Sequence, residues 1–229
     1  MDLLHQTDHI FFEKTGLDLA RTQKIVSDAL AACDDGELFL EMRHSEMLMF
    51  DDGRLKTASY DQSSGFGLRA VAGDAHGYAH AGELSETALK RAVGSVSAVT
   101  KGYHGQAALG PTAGSNAPLY SDDNPLNHTS FETKIKLLQE IDSYARSADS
   151  RVKQVNASLA GSWQAVQIMR GDGIRMADIR PLVRVNVWVA VEENGRMESG
   201  SSGAGGRVML DQWLTPDSWQ RQVDEALRI

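Results

Sequence analysis

The chain has 229 residues, 41% hydrophobic and 24% charged, with 31 acidic against 23 basic side chains and a net charge of −8. That length accommodates one large or two small domains with a genuine core, and the acidic balance is a poor match for nucleic acid, whose binding rests on Lys and Arg neutralising phosphates. No window approaches the ~18 consecutive apolar residues of a membrane span, and the single cysteine, Cys33, precludes an internal disulfide.

The opening residues, MDLLHQTDH, lack the basic and apolar stretches of a secretory signal, so a cytoplasmic location is expected. Residues 18–33 pattern as a helix with Leu19, Val26, Ala29, Leu30 and Cys33 on one stripe, and Cys33 reads as a small buried hydrophobe rather than a reactive thiol. Short strands are predicted over Glu37–Arg43 and Met47–Phe50, and the Asp51-Asp52-Gly53 turn leads into Leu55–Tyr60. Gly65–Ala72 and Gly77–Ala81 continue the run on either side of Gly73-Asp74. Ser85 then caps a helix carrying Leu89, Ala92, Val93 and Val96.

Residues 102–128 hold three of the five prolines with many Gly, Ser and Asn, and read as a connector between lobes. Thr129 with Glu132 suggests a capping box for a helix presenting Phe131, Ile135, Leu138, Ile141 and Ala145. Strands are predicted again over Val152–Ala160 and Trp163–Arg170, followed by the turn Gly171-Asp172-Gly173 and then Ile174–Ile179. In Val183–Val191 every odd position is valine, while Arg184, Asn186, Trp188 and Ala190 fill the other face; such alternation puts one face in a core and leaves the other for solvent, a partner or a cavity. Thr215-Pro216 opens a last helix with Trp219, Val223, Ala226 and Leu227 at helical spacing. The chain stops at Ile229 without a closing Gly or Asn, so a fragment ending partway through that helix is expected.

The fold class expected is α+β, with two lobes, each a mixed or antiparallel sheet with flanking helices. Their expected bounds are 1–101 and 129–229, with 102–128 between them. The order helix, strands with an Asp-Gly turn, helix occurs in both, which raises a pseudo-repeat.

Two pairs with His-x3-His spacing, His5 with His9 and His76 with His80, lack the glutamate of a zinc hydrolase motif, and no HExxH occurs. Neither pair is taken as a metal site, and no catalytic residue is assigned. The glycines at 65 and 67 and at 203, 205 and 206 match no phosphate-binding spacing; the first two suit close backbone packing. Ser199–Arg207 reads as a flexible polar loop, either a surface linker or a cover for a substrate.

The run Ser64-Gly65-Phe66-Gly67-Leu68-Arg69-Ala70-Val71-Ala72-Gly73, with His76-Gly77-Tyr78-Ala79-His80 behind it, resembles the N-terminal domain of the TldD/PmbA (TldE) metalloprotease family. Ala117-Pro118-Leu119-Tyr120, Asn124-Pro125-Leu126 and Val155-Asn156-Ala157-Ser158-Leu159-Ala160-Gly161 continue the likeness. The most specific stretch is Ala177-Asp178-Ile179-Arg180-Pro181-Leu182-Val183-Arg184, followed by Val191-Glu192-Glu193-Asn194-Gly195 and Ser202-Gly203-Ala204-Gly205-Gly206-Arg207; it is similar to the TldD branch.

The resemblance implies a cytoplasmic zinc metalloprotease that cleaves unstructured peptides inside a chamber, as a heterodimer with a PmbA/TldE-like subunit. Its HExxxH motif and zinc would lie beyond Ile229, so this chain alone would be inactive, with no metal or cofactor of its own. The portion present would build the chamber wall and the dimer interface. Arg184, Trp188, Ser202, Gly203, Gly205, Gly206 and Arg207 are the candidate contacts to peptide substrate. The alternative is a stand-alone binding or scaffold protein without hydrolysis. The family's older label, modulator of DNA gyrase, gains nothing from these residues as a nucleic-acid binder.

Overall fold

A computed structural model describes residues 2–105 and 119–229. The connector expected over 102–128 therefore falls partly outside the described residues, as does the Ala117-Pro118 pair. In chain order the elements are α1 (Leu3–Asp8), a π-helical turn (His9–Glu13), α2 (Leu19–Leu30), β1 (Asp35–Asp51), β2 (Arg54–Ala72), β3 (Ala75–Ala81), α3 (Glu86–Thr100), α4 (Pro125–His128), α5 (Phe131–Ala148), β4 (Val152–Arg170), β5 (Arg175–Glu193), β6 (Arg196–Gly206), a 3₁₀ turn (Leu210–Trp213) and α6 (Pro216–Ala226). The strands form one six-stranded antiparallel sheet in the order β3-β2-β1-β4-β5-β6, and with the flanking helices this is an α+β fold. Helix, three strands, helix runs through the chain twice: α2-β1-β2-β3-α3, then α5-β4-β5-β6-α6.

The strands are longer than the sequence pattern predicts. β1 runs unbroken through Arg43-His44-Ser45-Glu46, and β4 through Gly161-Ser162. The polar residues that look like breaks have partners far away in sequence. The His44 ring lies 5.5 Å from that of Trp163 and 6.0 Å from that of Tyr60, Glu46 pairs with Lys134, and Gly161 leaves room for Leu126. Pro181 sits inside β5 without breaking it, because pairing with β6 begins only at Val183 and no ladder partner on that side is lost.

The described residues fall into two compact units: those within Met1–Arg43, Gln62–Leu119 and Gln164–Ile179, and those within His44–Asp61, Tyr120–Trp163 and Arg180–Ile229. In the first unit Phe11, Val26, Leu30, Leu38, Leu40, Leu68, Leu89 and Met169 are buried. Cys33 is buried too, and burial pushes its thiol up, so it stays an inert apolar filler. Gly65 gives way to the Ala81 carbonyl and Gly67 lies beneath the Tyr78 ring, so both glycines serve close packing within a strand. The N-terminal helix, which periodicity does not reveal, is held by polar contacts. The buried Gln167 side-chain amide donates to Thr7 Oγ1 at 2.9 Å and Asp8 Oδ1 at 2.8 Å, and Arg175 donates to Asp8 at 2.7 Å.

An ion cluster closes the start of β1. Arg69 bonds Asp35 at 2.6 Å and Glu37 at 2.9 Å, and Arg170 approaches Asp35 at 3.1 Å. Burial pushes the Asp35 carboxyl up, but hydrogen bonds from Arg69 and the Gly36 amide, with the charges of Arg69 and Arg170, outweigh it and hold the group below the usual carboxylate range. A carboxyl depressed by folding contributes stability that is complete above its unfolded value of about 3.9 and is lost as pH falls through the folded one. Asp35→Asn is therefore expected to destabilise near neutral pH and to flatten the loss of stability below about pH 4. Thermal melts across that range check this; a variant as acid-sensitive as the parent would remove Asp35 from the account.

In the second unit α5 and α6 bury one stripe each against the sheet. Leu137, Leu138, Ile141 and Ala145 from α5 and Trp219, Val223 and Ala226 from α6 pack on Val155, Ala157 and Leu159 of β4, the five odd-position valines of β5, and Leu48 and Phe50 of β1. Phe131, expected on that stripe, is 47% exposed. The cap of α5 is Ser130, whose Oγ accepts from the Thr133 amide at 3.2 Å. Thr129 instead ends α4, so the cap of α5 lies one residue beyond the one expected. α6 closes before the chain does: the Leu227 amide returns to the Val223 carbonyl at 3.0 Å and that of Arg228 to Glu225 at 3.3 Å.

Candidate functional site

β5 and β6 form a hairpin around Asn194-Gly195, both residues with positive φ (53° and 80°), as the tight turn that matches strand twist requires. The register pairs Arg184 with Gly205, Asn186 with Gly203, Trp188 with Ser201, and Val187 with Ser202. Ser199–Arg207 is thus no loop: all but its last residue belong to a strand, and that strand closes one edge of the sheet. Its glycines answer tertiary neighbours. A Cβ at Gly200 would overlap the Ala226 carbonyl of α6, and one at Gly203 would overlap Asn186 Oδ1 and press on Arg184.

Directly paired residues share a face, which divides the seven candidates. Arg184, Trp188, Gly203 and Gly205 lie together on the face away from the valines. Ser202 and Gly206 lie on the core face, where Ser202 Oγ donates to Gln222 Oε1 of α6 at 2.8 Å. Arg207 is past the end of β6, with its guanidinium 5.1 Å from the centre of the Tyr120 ring.

Of the first four, Arg184, Trp188 and Gly203 border a groove of about 440 Å³, whose lining also includes Asn156, Asn186, Ser201 and, between the strands, Ser202. Arg184 Nε donates to Asn186 Oδ1 at 2.7 Å, and Asn186 Nδ2 donates to Ser158 Oγ at 3.4 Å. This polar row crosses β4 and β5 and lies over the glycines of β6. Trp188 is 36% exposed and offers an apolar wall. Asn156, Ser158 and Asn186 were not candidates from sequence, although Asn186 stands between Arg184 and Trp188 in the alternation. Asn194-Gly195 between two extended stretches was the available signal for the hairpin.

The arrangement can hold an extended chain: a strand edge left unpaired among the described residues, an aromatic wall, and a fixed guanidinium. The two His-x3-His pairs lie elsewhere, in the N-terminal helical segment and on β3. His9 Nδ1 is hydrogen-bonded to Glu13 at 2.6 Å. His76 and His80 lie on extended β3, where four residues span ~13 Å, too far to share an ion. Among the described residues there is no group of three or more His, Cys, Asp or Glu able to hold one. No helix among them is long and apolar enough to cross a membrane.

Comparison with known proteins agrees with this architecture. Residues 36–99 match the PmbA/TldA metallopeptidase domain 1, and residues 124–229 match the PmbA/TldA metallopeptidase central domain. The Metalloprotease TldD homolog of Haemophilus influenzae is 38% identical over 181 residues, which is 78% of this chain and 37% of the relative. Its counterpart from Buchnera aphidicola of Acyrthosiphon pisum is 31% identical over 204 residues, covering 86% and 42%. The chain thus spans less than half the length of the curated relatives it matches. Among solved structures, TldE from Thermococcus kodakarensis superposes with a TM-score of 0.71 at 13% identity, over 89% of this chain and 46% of that one. A proposed modulator of DNA gyrase from Bacteroides thetaiotaomicron gives 0.70 at 12%, over 90% and 49%; at such identities the likeness concerns fold alone. With two family domains matched in order over most of its length, and curated relatives of the same name at 38% and 31% identity, the chain belongs to the TldD/PmbA metallopeptidase family.

Proposed function

We propose that this chain is the N-terminal, non-catalytic portion of a TldD-type zinc metallopeptidase of the cytoplasm. In this reading the enzyme cleaves unstructured peptides together with a PmbA/TldE-like subunit, and the present residues wall the chamber, meet the partner and hold the peptide extended. The observation that carries the reading is the edge position of β6 beside an open groove. A strand edge binds a peptide of any sequence, since main-chain hydrogen bonds supply the affinity. Arg184, Trp188, Gly203 and Gly205 would face the peptide, with Arg207 beyond the strand end, while Ser202 and Gly206 would support α6. Zinc, when bound, would supply the hydrolytic chemistry; its ligands would come from an HExxxH motif downstream of Ile229, and no step is assigned to residues of this chain.

The test uses the full-length protein with its PmbA-like subunit and an unstructured peptide. Chelator-sensitive cleavage is expected only when both subunits are present. Arg207→Ala should slow it roughly two- to fivefold, the size of one exposed charged contact to the peptide, with melting temperature and metal content unchanged. A coding sequence without HExxxH after Ile229, or no cleavage with the partner present, would overturn the enzymatic reading and leave a binding protein.

A further inference from the structure

We infer that the β5–β6 groove recognises a peptide carboxylate through Arg184. The inference rests on the peptide-holding reading above and adds the chemical class that the groove selects. Its basis is an imbalance of charge. In this acidic chain the well-placed arginines face carboxylates: Arg69 meets Asp35 and Glu37, Arg151 meets Asp149 and Glu193, and Arg175 meets Asp8. The larger groove at the hairpin end is lined by both Arg151 and Arg196 and by Glu193 and Glu198, which pair with them. Among the described residues the Arg184 groove is lined by no Asp or Glu.

Arg184 is also fixed. Its Nε is engaged by the neutral Asn186 amide at 2.7 Å, and that amide reaches the buried Ser158. Among the described residues neither Nη atom makes a hydrogen bond or an ion pair, so the outer fork of the guanidinium stays open. Gly203, beneath Nη2, contributes no side chain to block it. A planar fork with two parallel donors matches a carboxylate bidentately, and holding its rotamer in advance lowers the entropy lost on binding. A peptide laid along β6 would bring either its C-terminal carboxylate or an Asp or Glu side chain to this fork, while Trp188 packs a neighbouring apolar residue. Asn186 would act as the positioning residue.

Titration calorimetry with short unstructured peptides of one sequence tests this. The set has a free or an amidated C-terminus, and Glu or Gln at one internal position. The carboxylate form is expected to bind about tenfold tighter, equal to about 1.4 kcal/mol, with the difference shrinking at about 0.5 M salt. Which pair shows the difference identifies terminal or side-chain carboxylate. Arg184→Gln should erase the preference, so that charged and neutral peptides bind that variant alike, Arg184→Lys should keep part of it, and Asn186→Ala should reduce the ratio at unchanged melting temperature. Equal affinity for charged and neutral peptides would overturn the carboxylate assignment alone. No binding of any peptide would overturn the peptide-holding reading with it.

Discussion

Lys134→Ala is expected to destabilise the protein by about 3–5 kcal/mol. Lys134 is 2% exposed, and its ammonium lies 2.6 Å from Glu46 Oε2 and 2.7 Å from the Leu126 carbonyl. The Glu46 side chain is itself only 16% exposed. Truncating the lysine leaves a carboxylate with little water and no counter-charge, and strips a buried carbonyl of its donor; that loss exceeds what the intact pair contributes, because both ions were desolvated to make it. The double variant Lys134→Met with Glu46→Leu should therefore recover most of the loss, giving a coupling energy of several kcal/mol in a double-mutant cycle. Denaturant midpoints measure all three variants. A loss below about 1 kcal/mol for Lys134→Ala would mean the pair behaves like a surface ion pair.

Trp219→Ala should cost about as much, 3–5 kcal/mol, or roughly 10 °C in melting temperature for a chain of this size. Trp219 is 4% exposed and meets the Tyr144 ring edge-on, with centroids 5.6 Å apart and planes at 84°. It is the largest anchor of α6, which otherwise holds on through Val223 and Ala226, the Ser202–Gln222 bond and the Tyr144–Asp224 bond at 3.0 Å. Its removal opens a cavity between α5 and α6 and loosens the cover over the core face of β6. Amide exchange of α6 and β6 should accelerate together in the variant, well beyond that of β4. If α6 alone exchanged faster, its docking would not be what keeps the edge strand in place.

The valine alternation of Val183–Val191 and the stripes of the helices that became α3, α5 and α6 were legible because a single burial direction imposes a period on neighbouring residues. The cap at Ser85, which accepts from the Ala88 amide at 3.2 Å, was legible for the same local reason. The boundary between Thr129 and Ser130 was not, because two adjacent hydroxyl residues satisfy the same local rule and the geometry of α4 chooses between them.

β6 was the consequential miss. A strand of glycines and serines carries no apolar alternation, and its small residues mimic a linker. They are small because α6 presses on Gly200 and the Asn186 and Arg184 side chains lie across Gly203, neighbours that sequence distance hides. Likewise Glu46 and His44 looked like interruptions of β1 until Lys134, Tyr60 and Trp163 were placed beside them.

Fold class and the core faces of the long strands thus follow from residues read in order, since local periodicity and turn chemistry act over a few positions, while the family follows from the likeness of its spaced motifs to known relatives. The edge strand, the division of the seven candidates between two faces, and the open guanidinium of Arg184 follow only from pairing across the sheet. Register there is set by contacts between residues far apart in the chain, and a shift of one position would have turned every one of those side chains to the opposite face.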